Sequence, residues 1–392
     1  MQTTFKMLAK TLAGLEQILA DELQQIGATD IETANRAVAF KGTMETLYKS
    51  NYLCRTALRV LIPITSFRVR NQDDLYREIQ KIEWTRYMKH TDTLAIDSVA
   101  NAADNFTNSM FVSMKVKDAI ADQFRAQFGA RPSVDTTHPT LRVNIHIFKE
   151  DCTVSLDSSG NSLHKRGYRI DSNKAPLNEV LGAGLILLSG WDKESNFIDP
   201  MCGSGTLLTE ACMIAKNIPC GYFRKDFSFL NWEGEFDFDK DLWQSLVDEA
   251  TKNIIPLKAN MYGADSAKSS VAITKDNLKS AGVREDILVK NELFQDSTAP
   301  DGGGVVIMNP PYGERMDKDD ITLLYKGIGD TLKSKYQGYD AWIISSNREA
   351  VNSIGLKASR RIVIYNGPLE CRFLKYEMYR GTKKIRKEDV EI

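Results

Sequence analysis

The octapeptide Asp199-Pro200-Met201-Cys202-Gly203-Ser204-Gly205-Thr206 closes an apolar run ending in Phe197 and Ile198. It opens a helical run carrying Leu207, Leu208, Ala211 and Ile214. Further on, Asn309-Pro310-Pro311-Tyr312 closes a second apolar run, Val305-Val306-Ile307-Met308. Two strand-to-loop switches of the same sense point to a parallel α/β sheet, whose ligands bind beyond the carboxyl ends of the strands. The Asn309 side-chain oxygen and the Pro310 carbonyl are two acceptors that suit the two hydrogens of a planar amine. Pro311 stiffens the turn, and Tyr312 offers a ring on which a base can stack, worth about 1–3 kcal/mol. An exocyclic amine is a poor nucleophile because its lone pair is delocalised into the ring. Holding both hydrogens favours a pyramidal nitrogen with its lone pair aimed at an electrophilic carbon. The chemistry these residues suit is methyl transfer from S-adenosylmethionine to a nucleobase or amide nitrogen.

The cofactor makes its own demands. Asp199, at a strand end, is placed to meet the amino group of the amino-acid tail. Gly203 and Gly205 remove side chains so that backbone can approach, with Met201 and Thr206 beside them in the same loop. Asp265 ends the next strand, in Gly263-Ala264-Asp265-Ser266, where an acid can accept both ribose hydroxyls, as in dinucleotide folds; Ser266 follows it in the expected contact set. The GxGxxG spacing of a dinucleotide site is not met, because the loop runs Gly-Ser-Gly-Thr-Leu-Leu, and no Gly-Lys-Ser/Thr marks a phosphate loop. Since the donor is already activated, positioning and electrostatics should dominate over acid–base catalysis.

The elements that must position these residues fall into two halves. The 392 residues suffice for two or three domains. No apolar stretch approaches the roughly 20 residues of a membrane helix, and the first residues lack a signal-peptide pattern, so a cytoplasmic protein is expected. The net charge of −1 leaves a nucleic-acid partner open, since a neutral total can hide a basic face. The six cysteines are scattered without the close pairs of a zinc or iron–sulfur site, so buried thiols and no metal are expected.

Before residue 158, helical stripes (Leu15, Ile18, Leu19, Leu23; Val116, Ile120, Phe124, Phe128) mix with strand-like runs over 58–65, 94–100 and 141–148, the last turning at Glu150-Asp151 into 153–156. That mixture suggests a small α+β module. Lys115, Lys117 and Arg125 read mainly as a solvated helix face. Residues 158–176 are small, polar and basic, and read as a linker; its Lys165, Arg166, Tyr168 and Arg169 are candidate RNA contacts. From Leu177 on, helix and strand alternate. The end, 361–365 and 371–379 around Asn366-Gly367-Pro368-Leu369, forms a hairpin. The aromatic segment from Cys220 to Phe238 interrupts the alternation and reads first as a packed-down insertion, with a substrate-facing lid as the alternative.

At these residues the chain resembles the bacterial THUMP-containing methyltransferases that make N2-methylguanine in 23S ribosomal RNA. The resemblance is carried by His-Lys-Arg-Gly-Tyr-Arg, Ala-Pro-Leu-Asn, Asp-Pro-Met-Cys-Gly-Ser-Gly-Thr, Asn-Pro-Pro-Tyr-Gly-Glu-Arg and Asn-Gly-Pro-Leu-Glu-Cys. It implies a ferredoxin-like segment over 1–50, a THUMP-like RNA-binding module over 51–157, a basic linker over 158–176 and a class I methyltransferase domain over 177–392. That domain is a Rossmann-like α/β sheet with a terminal antiparallel hairpin. The resemblance also implies S-adenosylmethionine as cofactor and 23S rRNA, or a large-subunit precursor, as partner. It carries the catalytic role to Asn309, Pro310, Pro311 and Tyr312, and places an adenine contact at Asn291, where the family commonly has an acid; Glu292 is the alternative. Competing readings are a tRNA guanine-N2 enzyme, a DNA adenine-N6 or glutamine-amide methyltransferase, and an RNA-binding ribosome assembly factor. The upstream module favours RNA.

Overall fold

The computed structural model describes residues 3–172, 175–311 and 317–379. The chain forms two compact units, 1–167 with 219–253, and 168–218 with 254–392. Among the described residues no helix is long and apolar enough to cross a membrane, and all six cysteines are free and buried.

The first unit runs β1 (Phe5–Lys10), α1 (Glu16–Gln25), β2 (Thr29–Ala34), β3 (Ala37–Gly42), α2 (Met44–Leu53), β4 (Arg59–Arg68), α3 (Gln72–Gln80), β5 (Thr93–Asn101), α4 (Ser109–Phe128), β6 (Ser133–Val134), β7 (Leu141–Phe148) and β8 (Asp151–Asp157). They share one eight-stranded sheet in the order β2-β3-β1-β4-β8-β7-β5-β6. α4 starts at Asn108, whose side chain accepts from Phe111 N–H, and stops at Gly129 with φ +69°. Its buried stripe of Val112, Val116, Ala119, Ile120 and Phe124 faces the core. Lys115, Lys117 and Arg125 each pair with an acid (Asp73, Asp118 and Asp122), as a solvated helix face would.

The fold departs from two expectations. Residues 158–167 are not a solvated linker. Ser158 and Ser159 are buried, and Ser158 Oγ donates to Val60 O at 2.7 Å. The Asn51 amide binds both serine hydroxyls, at 2.9 and 2.6 Å. Buried polar groups need such partners, and small hydroxyl residues supply them where the sequence looks merely flexible. The second correction concerns 219–253, which falls inside the stretch expected as one methyltransferase domain yet belongs to the first unit. Phe227, Phe229 and Trp232 join the first unit's core, with Phe229 lying 4.7 Å from the Tyr48 ring. Arg224 donates to the carbonyls of Ser159, Asn161, Ser162 and Lys165. The aromatic segment is therefore packed down, not a lid.

The second unit contains α5 (Glu179–Ser189), β9 (Asn196–Asp199) and α6 (Thr206–Ala215); the first unit's helix Lys240–Lys252 is α7. Then come β10 (Met261–Asp265), α8 (Lys268–Ser280), β11 (Ile287–Asn291), β12 (Gly304–Met308), α9 (Lys318–Lys335), β13 (Tyr339–Ser345), α10 (Arg348–Asn352), β14 (Arg360–Asn366) and β15 (Leu369–Glu377). The sheet order is β11-β10-β9-β12-β13-β15-β14. All pairs are parallel except those of β15, which runs antiparallel to β13 and β14. The strands read as apolar runs because both faces are covered. Val306, Met308, Ala341 and Ile343 pack beneath Ile321, Tyr325, Ile328 and Leu332 of α9. On α6 every residue is buried. The strand order reverses between β9 and β12, and such a switch point opens a crevice at the carboxyl edge.

Candidate active site

Both signature loops open at that crevice. Asp199 is the last residue of β9 and is 1% exposed; its Oδ1 accepts from Met201 N–H at 3.3 Å. Burial pushes its carboxyl up to about 8, and the nearby Asp265 adds to the shift. Gly203 adopts φ +56° and Gly205 φ +80°, a region that costs other residues strain. A Cβ on Gly205 would lie 2.9 Å from Thr274 Cγ2.

Asp265 ends β10, one strand over. Its carboxylate accepts from Gly203 N–H and from Ala267 N–H, both at 2.9 Å. Thr206 opens α6, and the exposed Ser266 follows the acid. Asn291 ends β11 and is exposed. Its amide nitrogen donates to the carbonyls of Asp265 and Ser266 at 2.9 Å each, which turns the amide oxygen away from them as an acceptor. The Glu292 side chain instead lines a separate hollow with Ile198, Tyr262, Leu288 and Tyr336.

Asn309 follows β12. It lines a cavity of about 90 Å³ with Asp199, Met201, Gly203, Thr206, Leu177 and Pro176. Its Oδ1 is buried and makes no hydrogen bond among the described residues. An acceptor left so costs about 1–3 kcal/mol, and such atoms in a cleft mark a place where a ligand supplies the missing donor. Pro310 is buried and Pro311 exposed; Tyr312 lies outside the described residues. The bared glycine backbone and the carboxylates at successive strand ends fit S-adenosylmethionine, and the orphaned oxygen beside them is an acceptor open to a second ligand.

Of the four residues expected to touch RNA, three are spent inside the fold. Arg166 is 1% exposed and donates to the carbonyls of Leu163 and Arg55. Tyr168 is 1% exposed, and its hydroxyl donates to Glu210 at 3.0 Å. Arg169 pairs with Glu179 at 2.7 Å and donates to Ser204 Oγ at 2.9 Å and Thr206 Oγ1 at 2.8 Å. It is a clamp on the glycine loop. Lys165 alone is exposed.

Sequence reasoning missed the second side of that clamp. Thr274 Oγ1 donates to Gly203 O at 2.9 Å, and Asn277 donates to the carbonyls of Ser204 and Asp171, also at 2.9 Å. The available signal was two polar residues on the inward stripe of α8, where Val271 and Leu278 set the apolar period.

This sheet order, with its hairpin and glycine loop, defines an S-adenosylmethionine-dependent methyltransferase of class I. The chain belongs to the RMKL-like methyltransferase family, whose domain model matches residues 166–375. A THUMP domain model matches 69–157, and an RlmL ferredoxin-like domain model matches 6–61. A Synechocystis protein named an RNA methyltransferase is 38% identical, over 96% of this chain and 98% of that one. The "Ribosomal RNA large subunit methyltransferase K/L" of Methylococcus capsulatus is 36% identical over 96% of this chain, but this chain spans only 52% of that protein. Among solved structures, SMU.472 in complex with S-adenosylhomocysteine is similar at a TM-score of 0.86 and 29% identity, covering 97% of this chain and 100% of that one.

Proposed function

We propose that the protein methylates the exocyclic N2 amine of a guanine in 23S ribosomal RNA. The observation that carries the chemistry is the buried, unpartnered Asn309 Oδ1 in the same cavity as Asp199 and the glycine loop. The RNA reading is supported by the THUMP match and by the names of the relatives.

When bound, S-adenosylmethionine supplies a methyl group already activated on sulfur. Asp199 holds the amine of the amino-acid tail, the Gly203–Gly205 backbone admits the tail, and Asp265 accepts the ribose hydroxyls. The Asn291 amide oxygen accepts from the adenine amine; Met201, Thr206 and Ser266 complete the wall. Asn309 Oδ1 and the Pro310 carbonyl take the two hydrogens of the target amine, Pro311 stiffens the turn, and Tyr312 stacks on the base. A guanine in paired RNA must be unstacked to reach this pocket, at a cost of a few kcal/mol. The proton leaves after transfer, so no strong general base is required.

The test is incubation with labelled S-adenosylmethionine and undermodified total RNA, followed by fractionation and nucleoside identification. Label is expected in N2-methylguanosine of 23S rRNA. Label in tRNA would keep the chemistry and move the target; label in N6-methyladenosine would overturn the guanine reading.

A further inference from the structure

Because β15 runs antiparallel to β13, the tip of the terminal hairpin lies at the carboxyl edge of the sheet, the edge that carries Asp199, Asp265 and Asn309. The register fixes its height. Met308 is level with Ile343, Ile343 with Leu374, and Ser345 with Arg372; continuing that register two residues past the end of β12 brings Pro310 to the level of Ser345 and Arg372. Glu370 stands two residues further out and two strands across. With about 4.8 Å between strands and about 3.3 Å per residue, its Cα lies about 12 Å from that of Pro310. One purine and one Glu side chain span such a gap.

Glu370 is held in place there. Arg348, the first residue of α10, donates to its Oε1 at 2.8 Å, and the Tyr365 hydroxyl donates to Oε2 at 3.5 Å. The pair is open to water, with side chains 65% and 44% exposed. An exposed ion pair contributes little to stability, so this triad is not explained by the fold.

The proposed chemistry leaves one demand unmet. Asn309 Oδ1 and the Pro310 carbonyl hold an exocyclic amine, which adenine and guanine both offer. What separates them beside that amine is the ring nitrogen N1, a donor in guanine and an acceptor in adenine. A carboxylate facing N1 accepts from guanine and repels the adenine lone pair. Resting on the guanine-N2 reading, we infer that Glu370 accepts the N1 hydrogen of the target guanine and so selects it, with Arg348 as a positioning residue. Selection of this kind sets a repulsive contact against the competing base, its N1 lone pair facing the carboxylate, beside the attractive one with guanine.

The methylated nucleotide is first located by mass spectrometry of the wild-type rRNA product. The same rRNA is then assembled by ligation with 2-aminopurine at that position, which keeps the 2-amine and lacks the N1 hydrogen. Wild type should prefer guanine by at least about a hundredfold in kcat/KM. Glu370→Gln, whose amide can donate to the bare N1, should narrow that preference about tenfold or more, with cofactor affinity and melting temperature unchanged. Arg348→Ala should narrow it less, because the carboxylate remains. An equal guanine preference in wild type and Glu370→Gln would overturn the assignment while leaving the guanine-N2 reading intact. Absence of N2-methylguanosine from the wild-type product would overturn both.

Discussion

Asp199 is a buried carboxyl whose ionisation opposes stability, at the place the proposed function gives to the cofactor's amino-acid tail. Its carboxyl is raised from 3.8 to about 8 by burial, so at neutral pH the folded protein holds a proton that the unfolded chain releases. The group therefore contributes most to stability below about pH 4, and that contribution is lost as pH rises towards 8. Asp199→Asn should flatten this part of the stability–pH curve and raise the melting temperature above that of wild type at pH 8. It should also weaken S-adenosylmethionine binding at least about tenfold, the loss of one charge-assisted hydrogen bond. Thermal melts at pH 5 and pH 8, with calorimetric titration of cofactor, check both. Wild-type affinity should itself fall as pH drops below 8, because the cationic tail favours the ionised carboxyl. The strand-end places of Asp199, Asp265 and Asn309 were legible in the sequence, since each sits where an apolar run stops. Arg169 was misread because its neighbours are basic; only the fold shows Glu179, Ser204 and Thr206 converging on it.

At the scale of elements, the glycine loop is held from two sides, by Arg169 and by Thr274 and Asn277 of α8. Arg169→Lys keeps the charge but loses the fork that reaches Glu179, Ser204, Thr206 and the Leu177 carbonyl at once. It should raise the cofactor dissociation constant about tenfold and lower stability by about 1–3 kcal/mol, with RNA affinity unchanged. A selective loss of RNA affinity would restore the RNA-contact reading. Gly205→Ala should cost about 1–3 kcal/mol from backbone strain at φ +80°, with crowding of Thr274 adding to it; calorimetric unfolding measures it. Strands of the second unit were legible as short apolar runs closed by Gly, Pro, Asp or Asn. The hairpin of β14 and β15 was legible from its Gly-Pro turn. β2 was not, because it carries no buried residue and so lacks the alternation that marks a half-buried strand.

At the scale of the whole molecule, the first unit's core is assembled from two distant parts of the sequence. No local pattern reveals that Phe227, Phe229 and Trp232 pack with Tyr48 and Leu47, because that contact depends on tertiary packing and not on periodicity. Phe229→Ala removes a fully buried ring and should destabilise by about 3–5 kcal/mol, with faster amide exchange in α2; unchanged exchange there would contradict the shared core. The proposed chemistry turns on one oxygen in one pocket. The most direct test compares wild type with Asn309→Ala on undermodified total RNA, measuring labelled-methyl incorporation beside cofactor affinity. Wild type is expected to form N2-methylguanosine, and Asn309→Ala to bind the cofactor within about threefold of wild type while losing more than about a hundredfold in turnover. Wild-type turnover in the Asn309→Ala protein would contradict the account.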